Sequence, residues 1–179
     1  MLKLRDPNRV LSVIPSAREF KYKDIKYVAV HHGPEEVKVL RNIGIQAPSP
    51  MLQYYNWPGQ FAPFAAQREA ASFLSLEPRG FNLSDLGTGK TLATLWAYDY
   101  LRKNKSINKA LVITPLSTLE RTWADEVFTH FPHLTVGVLY GSREKRLDTL
   151  KEDADIYLIN HDGIKVSGFV EAMKERKDI

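Results

Sequence analysis

The stretch SDLGTGKT, residues 84–91, combines the residue types that hold a phosphate group. Two glycines let the backbone curl so that successive N–H groups point at one anion. Lys90 can then reach the terminal phosphates of a nucleotide, and the Thr91 hydroxyl can bind Mg²⁺. Ser84 stands where the usual pattern has its first glycine. The stretch predicts a nucleotide site made of Gly87, Thr88, Gly89, Lys90 and Thr91. A glycine-rich turn with a solvated Lys90 is the plainer alternative.

Such a site also needs an acidic residue that helps to hold the metal ion. In the usual pattern this residue ends an apolar strand that follows the phosphate loop. Asp162 comes shortly after the apolar stretch IYLI. However, Asn160 stands at the position directly after that stretch, where the Asp is expected, and no Glu follows Asp162. We therefore expect the acid to lie beyond Ile179, with Asp162 as the alternative metal ligand.

The elements needed to position this loop follow a regular alternation after residue 63. Helix periodicity predicts a helix in FAAQREAASFLSL, and the apolar stretch FNLS predicts a strand that leads into the loop. Further predicted strands are KALVIT, LTVGVLY and DIYLIN, with KALVIT as a buried strand; further predicted helices are KTLATLWAYDYLRK, STLERTWADEVFTHF, SREKRLDTLKED and VEAMKERK. Alternating strands and helices predict an α/β fold, a parallel sheet covered by helices, over residues 64–179. Its ligands should lie at the carboxyl ends of the strands.

The first third of the chain has a different texture and predicts a small β+α module over residues 1–50. The stretch VLSVI predicts a short strand, and EFKYKDIKYVAVHH predicts two more strands with a turn at Lys23-Asp24. GPEEVKVLRNIG has the Pro, Glu and Gly positions of a short helix. Residues 51–63, rich in Pro and aromatics, predict an irregular linker anchored by Tyr54, Tyr55 and Trp57.

Composition narrows the class of protein without naming a function. The chain carries 25 basic and 21 acidic residues, so its net charge of +4 gives only weak support for a polyanion partner. No apolar run is long enough to span a bilayer, and the chain has 0 cysteines, which excludes disulfides and thiolate metal sites. The absence of a signal-peptide pattern favours the cytoplasm of a cell or of a virus-infected host cell.

Several stretches around the phosphate loop occur in an informative order. PFAAQ precedes the loop, and TPLSTLERTWADE, VLYGSREKR and LINHDG follow it. Together they resemble the amino-terminal part of the motor of a superfamily-two helicase of the Swi/Snf-like type, over roughly residues 60–165. In that family an acidic or small residue often replaces the first glycine of the loop, which fits Ser84. The resemblance implies a RecA-like P-loop lobe that is truncated before its Asp-Glu motif.

The resemblance also implies roles for individual residues. Gln67 would recognise the adenine of ATP, with a helix-surface hydrogen bond as the alternative. Contacts with a nucleic-acid backbone would fall to Thr114, Ser117, Thr118, Asn160 and His161. Ser117 or Thr118 is equally suited to cap a helix. Lys-Arg clusters such as REKR are typical of a solvated helix face.

Three functions stay open on the sequence alone. The first is the amino-terminal fragment of an ATP-dependent DNA helicase or double-strand DNA translocase, which uses ATP and Mg²⁺ and binds nucleic acid mainly through phosphates. This fragment would need the remainder of the motor to hydrolyse ATP. The second is a non-motor, kinase-like P-loop enzyme with Asp162 as its metal ligand. The third is a short nucleotide- or DNA-binding protein without hydrolysis.

Overall fold

The computed structural model describes residues 1–179, which form two compact units. One unit comprises residues 1–55 and 72–80, and the other comprises residues 56–71 and 81–179. This division differs from the boundaries predicted at residues 50 and 63. The α-helices are α1 (Asn8–Leu11), α2 (Pro34–Asn42), α3 (Pro50–Tyr54), α4 (Ala65–Leu76), α5 (Lys90–Lys103), α6 (Leu116–Thr118), α7 (Asp125–His130), α8 (Arg143–Lys151) and α9 (Phe169–Glu175). The strands are β1 (Arg18–Tyr22), β2 (Ile25–Ala29), β3 (Ala110–Thr114), β4 (Val136–Leu139) and β5 (Ile156–Asn160). None of the helices has the length and apolar character that crossing a membrane requires.

The first unit contains the predicted hairpin. β1 and β2 pair antiparallel, and the turn between them holds Lys23 at φ 47° and Asp24 at φ 62°. Two positive φ angles are what a two-residue hairpin turn needs, because its twist then matches that of the strands. The prediction of a turn at these two residues is therefore confirmed.

The predicted strand VLSVI is wrong, because this stretch belongs to α1 and the turns that follow it. Pro7 pre-sets the backbone for a helical turn, and its carbonyl accepts the N–H groups of Val10 and Leu11. Val10 and Ile14 are four residues apart and both buried, which is helical spacing toward one core. That core consists of Val10, Ile14, Ala17, Val28, Val37, Leu40, Ala47 and Leu76.

The helix predicted in GPEEVKVLRNIG is confirmed as α2. Pro34 occupies its first turn, and Gly44 follows its end at φ 79°. The segment predicted as an irregular linker begins with α3, whose start is capped by Ser49. The rest of that segment has no helix or strand, as predicted.

The second unit contains a three-stranded parallel sheet in the order β3-β5-β4. β5 is buried along its whole length between its two neighbours. β3 was predicted to be buried, yet it lies at one edge of this sheet, and Ile113 is 48% exposed. Parallel pairing places the ends of all three strands at one edge, since Thr114 pairs with Asn160 and Leu139 with Ile159.

The predicted strand FNLS does not form. Residues 81–85 have no strand partner, and the side chains of Phe81, Leu83 and Leu86 are 87%, 87% and 95% exposed. A strand exists only when its backbone groups find a neighbour to bond, and β3, β4 and β5 pair only with one another. The phosphate loop therefore follows a segment that lies outside the sheet.

Candidate nucleotide site and nucleic-acid surface

The phosphate loop leads directly into α5 and exposes a run of unused backbone donors. None of the N–H groups from Leu86 to Leu92 donates a hydrogen bond within the protein. Gly87 and Gly89 adopt left-handed φ angles of 76° and 75°, which curl the backbone between them. Gly89 lies at the start of α5, where the positive end of the helix dipole adds to the donors. The loop therefore presents consecutive free donors, which is what the binding of an anion would need.

Lys90 and Thr91 supply the remaining polar groups of the loop. The Lys90 Nζ atom donates to the carbonyl oxygens of Ser84 and Asp85, at 2.8 Å each. The Thr88 hydroxyl also donates to the Asp85 carbonyl, at 2.8 Å. The Thr91 hydroxyl makes no hydrogen bond in the protein, so it is free to bind a metal ion. A bound phosphate would attract Lys90 away from neutral carbonyl groups, because charge-assisted hydrogen bonds are stronger.

Ser84, at the position of the missing first glycine, is held by a local turn. Its N–H and its hydroxyl both donate to Asn82 Oδ1, at 3.2 and 2.6 Å. Asn and Asp side chains often fix turns by bonding to the backbone two residues on. The Asn82 turn therefore fixes the start of the loop, a role that sequence reasoning did not assign.

Gln67 connects α4 to the phosphate loop, and one of its hydrogen bonds is of the helix-capping kind weighed as the alternative to adenine recognition. Its Oε1 atom accepts the N–H of Phe64 at 2.9 Å, a bond that caps the start of α4. Its Nε2 atom donates to the Thr88 carbonyl at 3.3 Å. The side chain is buried, with 9% of its surface exposed. The structure thus brings Gln67 to the phosphate loop, and its contact with adenine stays a prediction.

Within the second unit, the segment before α4 packs against α5 and α7. The Trp96 indole donates to the Pro58 carbonyl at 2.7 Å, and its ring packs edge-on against Trp57 at 5.7 Å. The Gln60 N–H donates to His130 Nδ1 at 3.1 Å. Of the predicted anchors, Tyr55 is buried and Trp57 packs on Trp96, but Tyr54 is 63% exposed. Sequence reasoning missed Trp96 and His130 as partners, because only the fold brings them to this segment.

Two substitutions separate the conformational role of the loop glycines from their contact with Gln67. We expect Gly87→Ala and Gly89→Ala each to lose roughly 1–2 kcal/mol of unfolding free energy, because Cβ strains a left-handed residue. A Cβ at Gly89 would also lie 2.1 Å from Gln67 Nε2, whereas a Cβ at Gly87 meets no atom within 4 Å. Gly89→Ala should therefore be the less stable of the two in urea unfolding. Equal losses would mean that the Gln67 side chain moves aside at little cost and that its contact with the loop contributes little to stability.

The residues predicted to contact nucleic acid lie at the carboxyl edge of the sheet, but not all of them are available. Ser117 and His161 are exposed. Thr114 and Asn160 are buried, and their side chains bond within the protein: Thr114 Oγ1 to Thr118 Oγ1 at 2.7 Å, and Asn160 Oδ1 to Arg146 at 3.1 Å. In this structure Thr114 and Asn160 therefore support the edge rather than face a ligand.

Neither Ser117 nor Thr118 caps a helix. α6 begins at Leu116 after Pro115, and the Thr118 hydroxyl donates backwards to the Pro115 carbonyl at 3.0 Å. The residues that follow, Leu119–Ala124, form a π-helix that continues into α7. π-Helical turns are rare and frequently lie at functional sites, and nothing in the residue pattern predicted this one. Beside it, an open cavity of about 410 Å³ is lined by Leu116, Ser117, Leu119, Glu120, Arg121 and Tyr140.

No cluster of three or more His, Asp or Glu side chains that could hold a metal ion occurs in the structure. Asp162, the alternative metal ligand, has a side chain that is 83% exposed and pairs with Lys165 at 3.1 Å. For Mg²⁺, the residues present thus offer the free Thr91 hydroxyl, without a cluster of acidic ligands.

Comparison with known proteins decides the family. The SNF2-related domain matches residues 67–177, which is more than half of the chain. The chain belongs to the SNF2-related family. The resemblance to a Swi/Snf-like motor is confirmed, and with it the α/β, RecA-like character of the fold.

Sequence identity and coverage show how far the chain resembles individual SNF2-related proteins. The ISWI chromatin-remodeling complex ATPase ISW2 of Saccharomyces cerevisiae is 37% identical over 73 residues, or 40% of this chain and 6% of that protein. The Sulfolobus solfataricus SWI2/SNF2 ATPase core in complex with dsDNA aligns with a TM-score of 0.53 and 28% identity, over 63% of this chain and 24% of that one. A second structure of that core domain, at 24% identity and the same TM-score, supports the fold alone. The chain thus spans about a quarter of these solved structures and a small part of ISW2.

Proposed function

We propose that this chain is the amino-terminal part of an ATP-dependent DNA translocase or helicase, which binds ATP with Mg²⁺ and the backbone of nucleic acid. The observation that carries the proposal is the run of free N–H groups from Leu86 to Leu92 around Lys90. The first N–H groups of a helix have no intrahelical partner, and here they follow directly on the free N–H groups of a loop with two left-handed glycines, so consecutive donors are offered to one anion. In the SNF2-related family this arrangement fits the triphosphate of ATP.

The nucleic-acid half of the proposal has separate support. The carboxyl edge of the sheet presents Ser117 and His161, and the cavity there includes Arg121. One related ATPase core was solved with dsDNA bound. Contacts of this kind go mainly to phosphates, so binding should weaken steeply with salt and depend little on sequence.

Completion of the ATP site requires groups that these residues do not supply. The acid that orders Mg²⁺ and polarises the attacking water is not provided near Thr91 by any metal-holding cluster. The arginine that stabilises the transferring phosphate is expected from a second motor lobe. We therefore propose that the chain binds ATP but needs the remainder of the motor for hydrolysis.

The proposal predicts a large difference between this chain and the full-length protein that contains it. Duplex DNA should stimulate ATP hydrolysis by the full-length protein, whereas this chain alone should be at least about 100-fold slower, because positioned acid–base groups contribute roughly 10²–10⁴ in rate. Phosphate release with and without duplex DNA measures both rates.

A matched pair of variants tests the kinase-like alternative in the same assay. Asp162 and Asp148 are both exposed and each pairs with the lysine three residues later. If this chain hydrolyses ATP unaided, and Asp162→Asn stops it while Asp148→Asn does not, Asp162 is a metal ligand and the motor proposal is wrong.

A further inference from the structure

Arg146 is a buried cation at the carboxyl edge of the sheet. Only 7% of its surface is exposed, although the REKR stretch predicted a solvated helix face. Its Nε atom donates to the Gly141 carbonyl at 3.1 Å, and its Nη1 atom donates to the Leu139 carbonyl and to Asn160 Oδ1. The guanidinium is thus fixed by neutral acceptors from the ends of β4 and β5.

No carboxylate pairs with this charge. Arg146 takes part in no ion pair in the structure. Its guanidinium packs on an aromatic ring, 5.6 Å from the centre of the Tyr140 ring. Buried charges are normally paired, because taking a cation out of water is costly. A fixed, unpaired guanidinium therefore favours the binding of an anion.

One edge of the guanidinium remains open. The Nη2 atom of Arg146 makes no hydrogen bond. It is not fully enclosed either, because the one fully enclosed side-chain nitrogen or oxygen without a partner is Asn82 Nδ2. Nη2 therefore keeps contact with solvent while the rest of the side chain is held in place. Because its orientation is fixed beforehand, an anion that binds to it does not have to order a flexible side chain.

The surroundings of Arg146 indicate which anion it would bind. Tyr140, which packs on Arg146, also lines the cavity beside Ser117 and Arg121. On its other side, Arg146 Nη1 lies close to Gly163, in the 3₁₀ helix that begins at His161. Arg146 thus lies between the two segments assigned to the nucleic-acid surface. Glu120 also lines the cavity, so its carboxylate would repel an anion placed next to it and favours a phosphate contact on the Arg121 and Arg146 side.

We propose that Arg146 is a phosphate-binding residue of this surface, whose Nη2 edge donates to a phosphodiester oxygen of nucleic acid. The proposal rests on the nucleic-acid part of the proposed function. It assigns a nucleic-acid contact to a residue whose burial alone would indicate only a structural role. Arg is suited to it, since its planar group can hold neighbouring protein acceptors and a phosphate at the same time.

The salt dependence of DNA binding tests the proposal. The full chain is titrated with a fluorescent 20-base-pair duplex of mixed sequence at several salt concentrations, and log K is plotted against log [salt]. Arg146→Met should flatten the slope by about 1, because one phosphate contact contributes roughly 0.9. Lys151→Met removes the same charge from the far end of α8, where Lys151 is exposed, and should leave the slope unchanged. An unchanged slope in a folded Arg146→Met protein would overturn the proposal.

A second measurement keeps the test valid if Arg146→Met fails to fold. The side-chain ¹⁵N resonances of the wild-type arginines are followed by NMR while duplex DNA is added, and Arg146→Lys identifies the Arg146 signal. A shift of that signal supports the contact, and no shift under saturating DNA refutes it. If the wild-type chain binds no DNA at any salt, the nucleic-acid part of the proposed function fails first. ATP binding, measured separately, then stands or falls by itself.

Discussion

Replacing Lys90 by Ala is expected to weaken ATP binding by this chain about 10- to 100-fold. A hydrogen bond to a charged group contributes roughly 1.5–3 kcal/mol, and each 1.4 kcal/mol is a factor of ten in affinity. Lys90 Nζ is held beside the loop by the carbonyl groups of Ser84 and Asp85, so its ammonium group is close to the free N–H groups before any ligand arrives. Titration calorimetry with Mg-ATP measures the affinity.

Lys151→Ala provides the control for this experiment. Lys151 carries the same charge on an exposed part of α8 and pairs with Asp148 at 2.9 Å. Its removal should leave ATP affinity unchanged, so any loss specific to Lys90→Ala reports on the phosphate site. If Lys90→Ala binds ATP as tightly as the wild type, the loop does not bind phosphate and the motor proposal loses its basis.

The second large effect concerns stability. Trp96→Ala should lower the free energy of unfolding by roughly 3–5 kcal/mol, because truncation of a buried aromatic leaves a cavity. Trp96 is 1% exposed, packs against Trp57 and donates to the Pro58 carbonyl. The variant therefore also releases the segment that precedes α4. Urea unfolding followed by circular dichroism measures the loss.

Trp96→Phe separates packing from hydrogen bonding at this position. The smaller ring keeps most of the apolar contact but leaves the Pro58 carbonyl without its donor, so the loss should be smaller than for Trp96→Ala by about 2 kcal/mol. A loss below about 1 kcal/mol for Trp96→Ala would mean that the segment is held by other contacts, such as the bond from Gln60 to His130.

The sequence predicted the elements whose signal is local. The hairpin turn at Lys23 and Asp24, the helix after Pro34 and the alternating strands and helices after residue 90 follow from turn chemistry and periodicity. Elements that depend on distant partners were predicted wrongly. FNLS has the composition of a strand but no neighbour to pair with, and VLSVI satisfies the spacing of a helix as well as that of a strand.

In the candidate site too, residues with a local signal could be predicted, whereas residues that depend on distant partners could not. Lys90, Thr91 and the glycines of the loop could be proposed from the sequence because a phosphate site of this kind is built from consecutive residues, and their role stays a prediction. Arg146 was assigned to a solvated face, since a charge pattern alone does not reveal that Asn160 and two backbone carbonyls gather around it. Contacts between segments far apart in the chain had to come from the structure.

Exposed apolar side chains before the phosphate loop affect how the chain behaves in concentrated solution. The side chains of Phe81, Leu83 and Leu86 form an apolar strip that is exposed to water. The backbone beside them pairs with no strand. Such a strip favours self-association, and sulfate or phosphate salts strengthen that tendency because they are excluded from protein surfaces. The same salts would weaken the proposed attachment to nucleic acid. We therefore expect added salt to favour self-association and to oppose nucleic-acid binding.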